Sequence, residues 1–307
     1  MSDNRLSPLV DLSRSQAEAM LEQWLGRPVA CHSLKLLTGG CCTTVLEATF
    51  ARQPSPVVLK VDHRQEQAHD PFCDDAQVLR YIREHTSFPV PEPFHHGTVD
   101  DLAFLIMERL PGRHLGQAAL SMTPRQRVYL QQQMAEAVAE LHTHTAERFG
   151  SLRCEQSFTT WVEFMHAELH DLWQQEAVGR LLGPEAMRQA NRALDSLPRL
   201  LDAPAPPTLS HGDLWATNIM VHQGRLSGFV DPCGHFMHPE YELAYLELFH
   251  TADEEFFARY HRVHPRMDGY ERRRLVYWLS RLALHVWLFQ TDNYVRSTLQ
   301  VLSELDA

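Results

Sequence analysis

Lysine is nearly missing from this chain: of its 28 basic residues, only Lys35 and Lys60 are lysines and the rest are arginines. An ammonium is a compact point charge and a guanidinium a wide planar fork, so a lysine kept against this background marks a place where arginine does not substitute. Positive charge is short overall, with 28 basic against 39 acidic residues and a formal net charge of −11. That balance argues against a nucleic-acid backbone or an anionic membrane surface as a partner. No run of 18 apolar residues could span a bilayer, and no charged-then-apolar segment resembles a secretory signal, so a cytoplasmic protein is expected. The six cysteines (Cys31, Cys41, Cys42, Cys73, Cys154 and Cys233) contain no C-x-x-C pair, which favours free thiols over a disulfide framework or a zinc site. There is no H-E-x-x-H, no G-K-[ST] of a Walker A loop and no internal repeat.

What is present is an ordinary globular composition, 44% hydrophobic and 22% charged over 307 residues, enough for two core-bearing domains. Helical spacing at Ala17, Met20, Leu21, Trp24 and Leu25, closed by Gly26 and Pro28, predicts a first helix over Ser15–Leu25. Strand-like runs follow at His32–Leu37, Thr44–Phe50 and Pro56–Val61, then a helix over Phe72–His85 and strands at Phe94–Gly97 and Ala103–Glu108. From Thr123 the pattern turns helical, with Thr123 as N-cap and Pro124 at the first helical position. Further helices are expected over Phe158–Trp173, Pro184–Leu200, Tyr241–Phe249, Asp253–Val263, Gly269–Gln290 and Asn293–Leu305. A β-rich first third and a helical remainder predict an α+β, bilobal fold. Its small N-terminal lobe would span 1–109 and its larger helical C-terminal lobe 110–307, with the hinge near Leu110.

The chemistry concentrates between Leu209 and Pro232. His211-Gly212-Asp213 stands five residues before Asn218, counted from Asp213, and Asp231 follows eighteen residues after Asp213. Phosphoryl transfer needs a carboxylate to orient and deprotonate an alcohol, and hard oxygen ligands for Mg²⁺ on the phosphates. Asp213 suits the first role, Asn218 and Asp231 the second, and the apolar runs Ile219–Val221 and Leu226–Val230 predict a hairpin holding both ligands at neighbouring strand ends. Lys60 ends the strand V-V-L-K, where a kinase places its phosphate-contacting lysine; Asp75 is the best-placed carboxylate to pair with it. Gly39, Gly40 and Cys41 lie in a turn whose amides can cover phosphates, and backbone groups from Met107 and Glu108 to Leu110 are placed to take adenine. Trp215 is expected to line the acceptor pocket, and His211 to hold the loop by donating to backbone. Glu240 and Glu242 sit at a helix start, where carboxylates offset the helix dipole.

With its HGDLW-to-Asn218 spacing, the block His238–Phe249, the GGCC turn and the C-terminal YWLSRLALHVWLF, the chain resembles the fructosamine kinase branch of the aminoglycoside phosphotransferase superfamily. The resemblance implies a protein-kinase-like form of that α+β, bilobal fold and an ATP- and Mg²⁺-dependent kinase acting on a hydroxyl of a ketosamine, a deglycation activity. It also implies Asp213 as base, Asn218 and Asp231 as metal ligands, Lys60 on the nucleotide phosphates, and a loop cysteine matched by Cys41 or Cys42. The stretch from Phe149 to Trp161 is shorter than in that family. An aminoglycoside, sugar or amino-alcohol acceptor is the alternative within the class, and a nucleotide-binding pseudokinase scaffold the alternative outside it. The expected partner is a small-molecule or glycated-amine acceptor, and the expected state a monomer or a redox-sensitive homodimer.

Overall fold

The computed structural model describes residues 9–37, 43–63, 71–152 and 156–306. In chain order the elements begin with α1 (Arg14–Leu25), β1 (Cys31–Leu36), β2 (Thr44–Phe50), β3 (Val57–His63), α2 (Pro71–His85), β4 (Pro93–Val99) and β5 (Leu102–Glu108). They continue with β6 (Arg113–His114), α3 (Leu115–Ala118), α4 (Pro124–Leu141), β7 (Phe149–Ser151), β8 (Ser157–Phe158), α5 (Trp161–Trp173), α6 (Glu176–Asp195) and α7 (Leu197–Leu200). The last part holds β9 (Thr208–Ser210), β10 (Ile219–His222), β11 (Arg225–Phe229), β12 (His235–Met237), α8 (Pro239–Leu248), α9 (Glu254–Tyr260), α10 (Tyr270–Phe289) and α11 (Asp292–Asp306). They form two compact units, residues 1–137 with 216–233, and residues 138–215 with 234–307. Among the described residues, no helix is long and apolar enough to cross a membrane.

The first unit is built on an antiparallel sheet in the order β1-β2-β3-β5-β4. Side chains alternate faces along a strand, so Val57, Leu59 and Val61 of the central β3 point to one side and Lys60 to the other. The first side is covered by α1, whose Ala17, Met20 and Leu21 join Leu46, Ala48, Phe104 and Ile106 in one buried cluster. α1 is a defined stop-and-start helix: Ser13 and Gln16 make a capping box, and Gly26 ends it in the left-handed region at φ 67°. The hairpin β10–β11, predicted from its apolar runs, belongs to this unit and adds β6 as a third strand.

The second unit is mostly helical. Its core gathers Trp161, Met165 and Leu169 of α5, Val178 and Ala190 of α6, Tyr241 and Ala244 of α8, and Leu279, Ala283 and Val286 of α10. A small sheet in the order β8-β7-β12-β9 lies in the same unit. Two expected helices differ from those observed. The one placed from Phe158 begins at Trp161, because Ser157 and Phe158 pair with β7 and Thr160 with Glu163 forms a capping box. The one placed from Pro184 begins at Glu176, breaks at Gly183 (φ 80°) just before Pro184 and ends at Asp195, with α7 a separate short helix.

Gly112 shows how tightly β6 is seated. It lies at φ 95°, and a Cβ built on it would meet the Val221 carbonyl oxygen at 2.0 Å. Both the backbone conformation and the space exclude a side chain. Gly112→Ala is expected to lower stability by about 2 kcal/mol or more, from strain and overpacking together. Urea denaturation measures this directly, and a variant as stable as the parent contradicts the account.

Candidate active site

In the first unit, β3 carries Lys60 on the sheet face opposite α1, where it is 8% exposed. Its Nζ donates to Asp75 Oδ2 of α2 at 2.7 Å and to Asp231 Oδ1 at 3.0 Å. Burial alone would push this ammonium's pKa down. The Asp231 and Asp75 carboxylates outweigh that and hold it above the ordinary lysine value. One point charge thus links the central strand, α2 and the chain just after β11, a geometry that suits lysine better than the arginine fork.

Asn218 and Asp231 stand at neighbouring ends of the β10–β11 hairpin. Ile219 pairs with Phe229, and the Asn218 carbonyl accepts the Val230 N–H at 2.9 Å. Asp231 itself is in the left-handed region at φ 57°, a conformation Asp tolerates better than most side chains and one that cost is known to concentrate at functional sites. Met107, Glu108, Leu110, Asn218 and Asp231 line one cavity of about 400 Å³, together with Lys35. Both lysines of the chain are therefore placed at this cavity or at a carboxylate that lines it. Two buried polar atoms on residues lining the same cavity, His114 Nδ1 and Thr217 Oγ1, have no hydrogen-bond partner among the described residues. Sequence reading missed both. Gly39, Gly40 and Cys41 lie outside the described residues.

As a metal site, Asn218 and Asp231 offer one amide oxygen and one carboxylate. Among the described residues, no group of three or more His, Cys, Asp or Glu could hold a metal ion. The chemistry of the Asn218–Asp231 donor pair fits Mg²⁺, which is held through one or two carboxylates plus substrate phosphates and water.

In the second unit, the loop after β9 carries Asp213, and α8 fixes that loop. Glu242 of α8 is buried, and its carboxylate accepts the backbone N–H of His211 at 3.2 Å and of Gly212 at 2.6 Å. His142 Nε2 donates to the same carboxylate at 3.0 Å, and its other ring nitrogen meets the Tyr260 hydroxyl at 2.7 Å. Burial by itself would push the Glu242 pKa up; the His142 bond and charge, with His211 and the Gly212 amide, bring it below the ordinary glutamate value. Asp213 Oδ1 accepts from the Tyr245 hydroxyl at 2.5 Å. His211 is tied to the loop through Nδ1, which accepts the Asp213 N–H at 3.2 Å. Trp215 is half-buried, its N–H on the Asp213 carbonyl at 3.1 Å.

Glu240 and Glu242 are more than helix-start charges. Glu240 takes a two-point ion pair from buried Arg273 of α10, at 2.7 and 2.8 Å. α8 is also capped by a side chain: His238 Nδ1 accepts the Glu240 N–H at 3.2 Å and its Nε2 donates to the Ala203 carbonyl at 3.3 Å. Burial pushes the His238 pKa down to about 3. His238 is therefore neutral in the fold but takes a proton in the unfolded chain below about pH 6.5, so acid favours unfolding. Between pH 6.5 and about 3 this group alone removes up to about 1.4 kcal/mol of stability per pH unit. His238→Asn keeps a capping acceptor without the titration. Its stability, read by denaturant titration across that range, is expected to fall less steeply with acid than the parent's; parallel slopes contradict the assignment.

The sheet with its buried lysine–carboxylate set, the hairpin that brings Asn218 and Asp231 together and the helix-anchored Asp213 loop define a phosphotransferase of the protein-kinase-like class. Within that class the chain belongs to the fructosamine kinase family, whose model matches residues 13–306. It is 30% identical over 222 residues to a probable ketoamine kinase of Vibrio parahaemolyticus, covering 71% of this chain and 75% of that one. It is 25% identical over 315 residues to the ketosamine-3-kinase of Mus musculus, covering 93% and 99%. The crystal structure of a fructosamine-3-kinase candidate from Thermobifida fusca superposes with a TM-score of 0.75 at 23% identity, over 95% of this chain and 99% of that one, which shows the shared fold.

Proposed function

We propose that the protein is an ATP- and Mg²⁺-dependent kinase that phosphorylates a hydroxyl of a ketosamine, the acceptor class named by its relatives. The observation that carries the reading is the Lys60 ammonium held by Asp75 and Asp231 beside a cavity that also takes in Asn218. Lys60 contacts the nucleotide phosphates, with Asp75 fixing its position. Backbone groups from Met107 to Leu110 take the base, and His114 Nδ1 and Thr217 Oγ1 face the nucleotide's hydroxyls, which satisfies their open valences. Asn218 and Asp231 would hold Mg²⁺, which would neutralise the negative charge that develops on the phosphates during transfer.

Asp213 orients the acceptor hydroxyl and takes its proton as the oxygen attacks the γ-phosphorus. The bond from that phosphorus to the β-phosphate oxygen breaks, and ADP leaves. Trp215 supplies an aromatic face against the acceptor. The loop backbone needs no rearrangement for this, because Glu242 already holds the amides of His211 and Gly212. Asp213→Asn keeps the shape and removes the base; turnover is expected to fall by roughly 10²–10⁴. A coupled assay of ADP release with a fructosamine acceptor measures it, and a variant that keeps most of the parent's turnover would falsify the role.

A further inference from the structure

We infer that Tyr245 is a positioning residue for Asp213, holding the carboxylate of the base by a phenolic hydrogen bond from α8. The inference rests on the role proposed above for Asp213, and its test is built so that the two fail separately.

Tyr241 and Tyr245 lie one turn apart on the same face of α8, yet their hydroxyls do different things. The Tyr241 hydroxyl is tied inside the helical core, to Glu168 of α5 and to Ser280 Oγ of α10 at 2.8 Å. The Tyr245 hydroxyl is instead spent on Asp213 Oδ1, at 2.5 Å. Tyr245 is 5% exposed, and its ring lies 4.7 Å from Phe249 and 5.4 Å from the Arg281 guanidinium. A buried, packed ring of this kind is a rigid donor.

The helix that carries it is rigid too. Glu240 is locked to Arg273, His238 caps the first turn, and Glu242, three residues before Tyr245, holds the amides of His211 and Gly212. One helix therefore sets the backbone of the base's loop with one side chain and the base's carboxylate with another. An aspartate's terminal torsion is broad, so without a donor the carboxylate can turn about its last bond. A short O–H···O⁻ bond selects one orientation and favours the ionised form, the form that accepts a proton. The other charged and titratable groups at this pair are His211 in the loop and Arg281 and His285 on α10. Burial pushes His285 down, so it is neutral near pH 7.

Tyr245→Phe removes only the hydroxyl. In the ADP-release assay with a fructosamine acceptor, kcat is expected to fall about 10- to 100-fold, the factor tied to a hydrogen bond on a charged group. The acceptor KM is expected to stay within about 2-fold, as for an interaction used in the transition state. The acidic limb of the pH–rate profile moves to higher pH. Tyr241→Phe is the structural control: it is expected to lower the melting temperature and leave the acidic limb in place. If Tyr245→Phe does not fold, 3-fluorotyrosine at position 245 keeps the hydroxyl and makes it a stronger donor, and the limb is then expected to move to lower pH. Parental kcat and an unmoved acidic limb in Tyr245→Phe, or an unmoved limb with the fluorinated side chain, overturn the inference while an inactive Asp213→Asn leaves the base intact. An active Asp213→Asn overturns the base itself.

Discussion

The buried carboxylate of Glu242 is the interaction on which the loop that carries Asp213 depends. It gathers two backbone amides from the loop and an imidazole from the end of α4, three donors on one acceptor. A buried carboxylate left without such partners would be costly, and with them it stays ionised. The same carboxylate therefore explains why a loop that must carry Asp213 does not need secondary structure of its own. α8 is in turn immobilised by the Glu240–Arg273 pair and the His238 cap, so rigidity passes from a packed helical core to the loop that carries Asp213.

The first unit solves the same problem with one cation. Lys60 sits on a central strand whose other face is closed by α1, and it satisfies two carboxylates that would otherwise repel each other. Removing that ammonium would take its charge from both acids, Asp75 the more buried of the two, which is more damaging than the loss of an exposed ion pair. The scarcity of lysine in the chain has a physical reading here. Twenty-eight basic residues include two lysines, and the buried one occupies a narrow space between two carboxylates.

Much of this was legible in the sequence because it is written at short range. The spacing from Asp213 to Asn218, the apolar runs around a Gly-containing turn and the V-V-L-K strand are local patterns, and the hairpin, the central strand and the Lys60–Asp75 contact follow from them. Asp75 could be singled out because its helix offers no glutamate in the middle. Glu242, His142, Tyr260 and Tyr245 were not legible as a set. His142 meets Tyr260 across 118 positions and Tyr245 meets Asp213 across 32, and no spacing rule links a lone buried histidine to a tyrosine that far away. The strand at Ser157 and Phe158 was hidden for a related reason: two residues carry no periodicity, and only pairing with β7 makes them a strand. Glu240 and Glu242 read as helix-start charges because sequence shows their position and not their burial.

The measurement that tests the central claim most directly is acceptor-dependent transfer of the γ-phosphate of ATP, in the presence of Mg²⁺, followed by ³¹P NMR of the product. Fructosamines, ribulosamines and aminoglycosides would be offered in parallel. The account predicts a new phosphate ester on a ketosamine hydroxyl, with one ADP formed per ester. ATP that binds without transfer to any of these acceptors, or transfer confined to an aminoglycoside, would contradict it.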